Sequence, residues 1–508
     1  MIYKPITRIF LISIVSLLFL QCSDKEIIFE GSLSDNIIKN KNSFFYVDIR
    51  NYPVNNNKLP IGVFDSGTGG LTVLDAMINF DKFNNATFDY SEVGDGHPDF
   101  RAENFIYLGD KANMPYGEYS LNNNTDLLKE HVLKDVQFLL SNKYYRNSNR
   151  QTYEQDKNPV KVIVIACNTA TAYGFDYLQN FMKNAELDIK VIGVIGAGVR
   201  AALSDITKEE DAVIGIMATN GTVCSNGYPN TISKLMSDSG YNGNVKVFQQ
   251  AGVGLASAID GLAEYIDHNE INPLEGYRGP SFTNKLAMID KNILARYEFD
   301  WSSNKMLLEG DITNPSKIQI NSIENYISYH LVSLLEQIKN SDNSNKLKSL
   351  ILGCTHYPFF TDLFIKKLNS LYNYTENNNY VYRSIMERSI SLIDPSINTA
   401  KELYEYLHKK NMFNNDNILN SEFYISIPNP SNTNNVFDGK ENFTYDYKYG
   451  RKAGLVQEYV KRVPFSRAVL SNEVIERISK KLPDTFNLIK NFNHSNPKSN
   501  YLIEKEKI

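Results

Sequence analysis

Cysteine is scarce in this chain. Four are spread over 508 residues, Cys22, Cys167, Cys224 and Cys354, and no two share a CxxC spacing. A disulfide scaffold is therefore excluded as the organising principle, and the thiols need another explanation. Excess basic charge is also missing: 53 Lys and Arg face 58 Asp and Glu, for a formal net charge of −5. With its lysines scattered, the chain offers no field to a phosphate backbone, so nucleic acid is not an expected partner. Zinc normally takes three or four protein ligands, and around Cys354 and His356 there is no CxxC, no HExxH and no second Cys/His pair. No metal is expected. The Gly-rich "DSGTGG" lacks the Lys-Ser/Thr end of a P-loop, and its "GTGG" is not GxGxxG, which removes the usual nucleotide cradles. The N-terminal apolar stretch, Ile9 to Leu20, falls short of the roughly 20 residues that span a bilayer.

What that stretch offers instead is a targeting signal. Lys4 and Arg8 precede "IFLISIVSLLFLQC", after which "SDKE" begins polar sequence, the layout of a signal peptide. Its end, "LFLQC", resembles a bacterial lipobox, which implies cleavage before Cys22 and lipidation of that thiol. The expectation is a signal peptide over 1–22 and a lipoprotein anchored to a membrane through Cys22, its folded part outside the cytoplasm, periplasmic or at the cell surface. A polar linker is expected over 23–58.

Beyond the linker the chain repeats a strand-then-helix unit. "IGVFD", "NFIYLGD", "VKVIVIA" and "KVIGVI" form one series; "DAVIGIMAT", "NVKVFQQ" and "LKSLILG" form a second, with "SISLID" after it. Near-continuous apolar strands alternating with helices indicate parallel sheets covered on both faces, an α/β fold. "IGVFDSGTGG" is echoed by "IGIMATNGT", and "VIVIACNTA" by "LILGCTHYP". The echo suggests an internal duplication giving two similar lobes. We assign 59–193 with 380–408 to the first lobe, interrupted by an insertion at 81–103, and 194–379 to the second, interrupted at 265–346. Residues 409–508 form a C-terminal extension. Both insertions and the extension read as elaborated loops or helical appendages.

Cys167 and Cys354 fall at equivalent strand ends, where open parallel sheets bind ligands. A single free cysteine is most simply a packed core thiol, and Cys224 is read that way. Two at matching positions, each flanked by hydroxyl or amide donors, suit a proton-transfer pair: one thiol removes a proton from a carbon while the other delivers one to the opposite face. The turn "DSGTGG" adds free N–H groups at the start of a helix, suited to a carboxylate.

Seven ordered motifs, "IGVFDSGTGGLTVL", "YLGDKANMPYGEYS", "VIACNTATAY", "GVIGAG", "ATNGTVCSNGY", "LGCTHYP" and "LIDPS", together resemble the cofactor-independent glutamate racemases of the aspartate/glutamate racemase superfamily. The resemblance spans roughly residues 59–408. It implies two pseudo-symmetric flavodoxin-like lobes, an active site in the cleft between them, and interconversion of L- and D-glutamate without cofactor, of the kind that supplies peptidoglycan. It also implies a small acidic amino acid as the ligand, and is compatible with a homodimer. Carried onto this sequence, Cys167 and Cys354 become the acid/base thiols, assisted by Asp65 and His356. Ser66, Pro115, Tyr116, Gly117, Asn168, Thr169, Thr171, Thr355 and Asp260 match substrate-binding positions. One departure stands out: where the family has Cys-Pro and then Glu, "QQAGVGLASAIDG" places Gly252, Val253 and Asp260. The alternatives are an aspartate racemase or related isomerase or lyase, and a tethered protein that binds an acidic amino acid without turning it over.

Overall fold

The computed structural model describes residues 31–508 apart from 92 and 440. The signal segment 1–22, its Cys22 and the start of the linker lie outside the described residues. The strands in chain order are β1 (Ile61–Asp65), β2 (Phe105–Gly109), β3 (Val162–Ile165), β4 (Lys190–Gly193), β5 (Ala212–Ala218), β6 (Val245–Ala251) and β7 (Met306–Asp311). They continue with β8 (Asn314–Ile320), β9 (Leu347–Gly353), β10 (Thr375–Glu376), β11 (Asn379–Tyr380), β12 (Met386–Ile393), β13 (Glu422–Pro428) and β14 (Val460–Pro464).

Two sheets carry the fold. The first has the order β14-β13-β2-β1-β3-β4, and the second β12-β9-β5-β6. Within the first sheet β2-β1-β3-β4 is parallel, and the whole second sheet is parallel. Read from its other edge, the second sheet runs β6-β5-β9-β12, so each lobe places its own second strand outside its first and its third and fourth beyond. The two lobes thus share one winding, that of a doubly wound α/β sheet. Strands β1, β2, β3 and β5 are buried along their whole length, which is why they read as unbroken apolar runs.

Three segments depart from the sequence expectation. Residues 380–408 are divided between the lobes: β12 pairs with β9 in the second sheet, Leu392 and Ile393 opposite Leu350 and Ile351, while the helix Pro395–Lys410 buries Ala400, Leu403, Tyr404 and Leu407 in the first lobe's core. The stretch from 31 to 58 is packed, not free. Leu33, Ile37, Phe45 and Val47 enter that same core, and the Tyr52 hydroxyl donates to the Val160 carbonyl at 2.7 Å. The extension is not an appendage of loops and helices either, because β13 pairs in parallel with β2 and β14 pairs antiparallel with β13. Its Phe423, Tyr424, Val463, Phe465 and Phe492 are core residues. The insertion 265–346 holds the β7-β8 hairpin and the long helix Ile323–Lys339, which covers one face of the second sheet.

Candidate active site

Both cysteines stand where a parallel strand ends. Cys167 follows β3 and caps the helix Asn168–Asn184; its Sγ accepts from the Ala170 amide at 3.4 Å and donates to Ser66 Oγ at 3.7 Å. Cys354 directly follows β9. They are 6% and 5% exposed and line the same cavity, of about 40 Å³, from the two lobes. The walls also include Ser66, Met114, Pro115, Tyr116, Gly117, Asn168, Thr169, Thr219, Ser257, Asp260, Thr355 and His356.

The surroundings of the two sulfurs differ in sign. Burial, reinforced by the Asp65 carboxylate, pushes the Cys167 thiol well above the ordinary range. Asp65 Oδ2 accepts from the Gly67 and Gly70 amides at 3.1 and 2.9 Å, while its buried Oδ1 has no hydrogen bond among the described residues. Cys354 instead lies 3.5 Å from His356 Nδ1, and His356 Nε2 is 2.9 Å from Asp260 Oδ2. Burial opposes a charge on His356, but Asp260 and Cys354 outweigh it and hold its pKa well above the usual imidazole range. Asp260 is the complement: burial opposes its charge, and His356 and Arg477 together pull its pKa below that of a free aspartate. One sulfur therefore faces a carboxylate and the other an imidazolium. Two like groups in surroundings of opposite sign are suited to opposite parts in a proton transfer.

The sequence-derived residues divide three ways. Ser66, Pro115, Gly117, Asn168, Thr169 and Thr355 line the cavity with both cysteines and His356. The Asn168 carbonyl oxygen accepts from the Tyr228 hydroxyl at 2.6 Å, which fixes the side chain and leaves its amide nitrogen uncommitted. Thr169 joins Thr219 and Thr222 in a hydroxyl cluster at 2.8 and 3.1 Å. Tyr116 and Asp260 border the cavity, yet their polar atoms are engaged elsewhere. The Tyr116 hydroxyl lies 2.6 Å from Asp110 Oδ2 and 2.7 Å from Asp135 Oδ2, so the ring shapes the wall while its oxygen belongs to a buried carboxyl pair. Both Asp260 oxygens are occupied, one by His356 and one by Arg477, which makes it a positioning group and not a direct ligand contact.

Thr171 does not belong. One turn into the helix, its hydroxyl donates back to the Cys167 carbonyl at 2.8 Å, and the residue faces a separate cleft with Arg200, Lys234 and Glu402. Sequence reasoning missed Thr219, Ser257 and Arg477. Thr219 occupies, in the second lobe, the strand end that Asp65 occupies in the first, so the internal echo carried the signal for it.

Among the described residues no cluster of three or more His, Cys, Asp or Glu could hold a metal ion, and no helix is long and apolar enough to cross a membrane. No family model matches the chain. It is 25% identical to the glutamate racemase of Oceanobacillus iheyensis over 359 residues, 71% of this chain and 83% of that protein. To the glutamate racemase of Thermoanaerobacter pseudethanolicus it is 26% identical over 369 residues, 72% of this chain and 88% of that one. Among solved structures, glutamate racemase isoform RacE1 from Bacillus anthracis aligns with a TM-score of 0.42 at 24% identity, over 72% of this chain and 86% of that chain. The likeness to curated glutamate racemases thus runs through most of the length of these relatives.

Proposed function

We propose that the protein interconverts L- and D-glutamate by proton transfer at Cα between two thiols, with no cofactor, and so provides D-glutamate of the kind cell-wall synthesis consumes. The observation that carries this reading is that Cys167 and Cys354, from equivalent strand ends of two like-wound lobes, line one cavity. Cys354 takes the proton from the L enantiomer, the Cα–H bond breaks, and the Cys167 thiol gives its proton to the opposite face. The reverse transfer returns L-glutamate, so nothing is oxidised and the thiols only exchange protonation states. Asp65 and His356 reset the respective sulfurs. The Asn168 amide, the hydroxyls of Ser66, Thr169 and Thr355 and the amides opening the helix Asn168–Asn184 suit the amino acid's carboxylates.

The test is incubation with L-glutamate in deuterated water. D-glutamate carrying deuterium at Cα is the expected product, and each of Cys167→Ala and Cys354→Ala should lower the rate at least about a thousandfold. Absence of exchange with any acidic amino acid would overturn the proposal. Faster turnover of aspartate than of glutamate would move the substrate by one methylene.

We also propose that Lys4, Arg8, the apolar run Ile9–Leu20 and Cys22 deliver the protein across a membrane and tether it by lipid. Metabolic labelling with palmitate should mark the wild-type chain and not Cys22→Ser; equal labelling of both would rule the anchor out.

A further inference from the structure

The helix Asn472–Lys481 of the extension carries Arg477 to the line where the two lobes meet. One guanidinium nitrogen lies 3.0 Å from Asp260 Oδ1 and 3.2 Å from Thr68 Oγ1; another donates to the Ile259 carbonyl at 2.5 Å. Thr68 sits in the Gly-rich turn of the first lobe, whereas Ile259 and Asp260 end the short second-lobe helix Leu255–Ile259. The guanidinium also stands 5.6 Å from the Phe359 ring centroid. Arg477 is largely buried but is not part of the cavity wall.

Burying an arginine is costly unless its donors are matched, and here both terminal nitrogens are spent on a carboxylate, a hydroxyl and a carbonyl drawn from both lobes, while Nε has no partner among the described residues. The carboxylate is the one that holds His356. We propose that Arg477, supplied by the C-terminal extension, is a positioning residue for the Cys354 half of the reaction: it fixes one oxygen of Asp260 so that the other meets His356, and ties this relay to the first lobe through Thr68. The inference deepens the racemase reading and rests on it.

The groups facing this relay are few. His356 is faced by Cys354 and Asp260, and Asp260 by His356 and Arg477, with Lys111 and Tyr107 within electrostatic range of Asp260 and the buried Tyr228 and Tyr357 within electrostatic range of Cys354. The Lys111 ammonium donates to the Val469 carbonyl at 2.8 Å, so it does not substitute for the guanidinium. Removing the Arg477 charge makes the pocket around Cys354 and His356 more negative, and proton loss from that pair then requires a higher pH. Cys167, which answers to Asp65, lies outside this circuit.

The test uses full-length Arg477→Gln and Arg477→Lys. Iodoacetamide alkylation of Cys354 and Cys167 is followed against pH by mass spectrometry of each cysteine's peptide, a readout that needs no turnover. In Arg477→Gln the Cys354 midpoint should rise by at least about 0.5 pH unit while that of Cys167 stays put, and Arg477→Lys should recover most of the shift. For glutamate, kcat should fall about tenfold or more with KM within about twofold, because the residue touches the relay and not the ligand. An unmoved Cys354 midpoint in a folded variant would overturn the proposal. So would equal shifts at both cysteines, or activity lost only in proportion to folded protein. If the wild type exchanges no proton of glutamate, it is the racemase reading that fails, and the alkylation midpoints still report on Arg477.

Discussion

The pairing of His356 with Asp260 makes a prediction about stability as well as chemistry. His356 has its folded pKa raised, so it contributes stability that is complete below its unfolded value of about 6.5 and is lost as pH climbs through the folded value. Asp260 has its folded pKa lowered, so its contribution is present above an unfolded value of about 3.9 and disappears as pH falls through the folded one. The two overlap between these limits. Thermal melts of the wild type and His356→Asn, measured from about pH 5 to pH 9, should therefore differ most below about 6.5 and converge as the solution becomes alkaline. A difference that widens with pH would mean that His356 is buried neutral.

The turn after β1 and the end of β9 meet almost without clearance. A Cβ placed on Gly69 would lie 2.7 Å from Thr355 Oγ1 and 2.7 Å from His356 Cε1, closer than real side chains approach. Glycine is required there because one lobe's backbone rests against the Thr355 and His356 side chains of the other. Gly69→Ala should thus displace Thr355 and His356 and lower turnover about a hundredfold while the melting temperature falls by only a few degrees, since neither sheet is touched. Retention of wild-type kinetics would show that the loop gives way freely.

Much of this geometry could be read from the sequence. Strands such as Ile61–Asp65 and Leu347–Gly353 are buried on both faces, and their apolar runs led directly to Asp65 and Cys354. The strand Val460–Pro464 was hidden because Lys461 and Arg462 are buried within it. Their partners lie far away: Lys461 donates to the Ser148 and Arg150 carbonyls, and Arg462 pairs with Asp135 at 3.2 Å. Arg477 was equally silent, as its partners lie more than 200 positions upstream. Periodicity reports the face a residue turns inward; it says nothing about a charge whose match is distant.

Taken as a whole, the molecule has two like-wound lobes and a tail whose strands join the sheet of the first. The tail closes the first sheet by laying β13 along β2, so removing residues 409–508 would bare the β2 edge together with the surface that Phe423, Phe465 and Phe492 cover. A chain ending at residue 408 should aggregate on expression, a fate common to long unpaired edges, and size-exclusion chromatography would report it. A monomeric, folded product would show that the extension is dispensable for folding. The same tail also brings Arg451 to within hydrogen-bonding distance of Asn113 and His131, and Arg462 to Asp135, bracing the wall that holds Tyr116.

The lopsided attachment of that tail bears on how the two mirror-image substrates are treated. Enantiomers are equally stable in water, so no catalyst can favour one at equilibrium, and the ratio kcat/KM must be the same in both directions. A site flanked by a carboxylate on one side and an arginine-braced imidazolium on the other has no such obligation for kcat and KM taken separately. Its asymmetry is free to surface as unequal saturation: the enantiomer with the lower KM is turned over more slowly, and by the same factor.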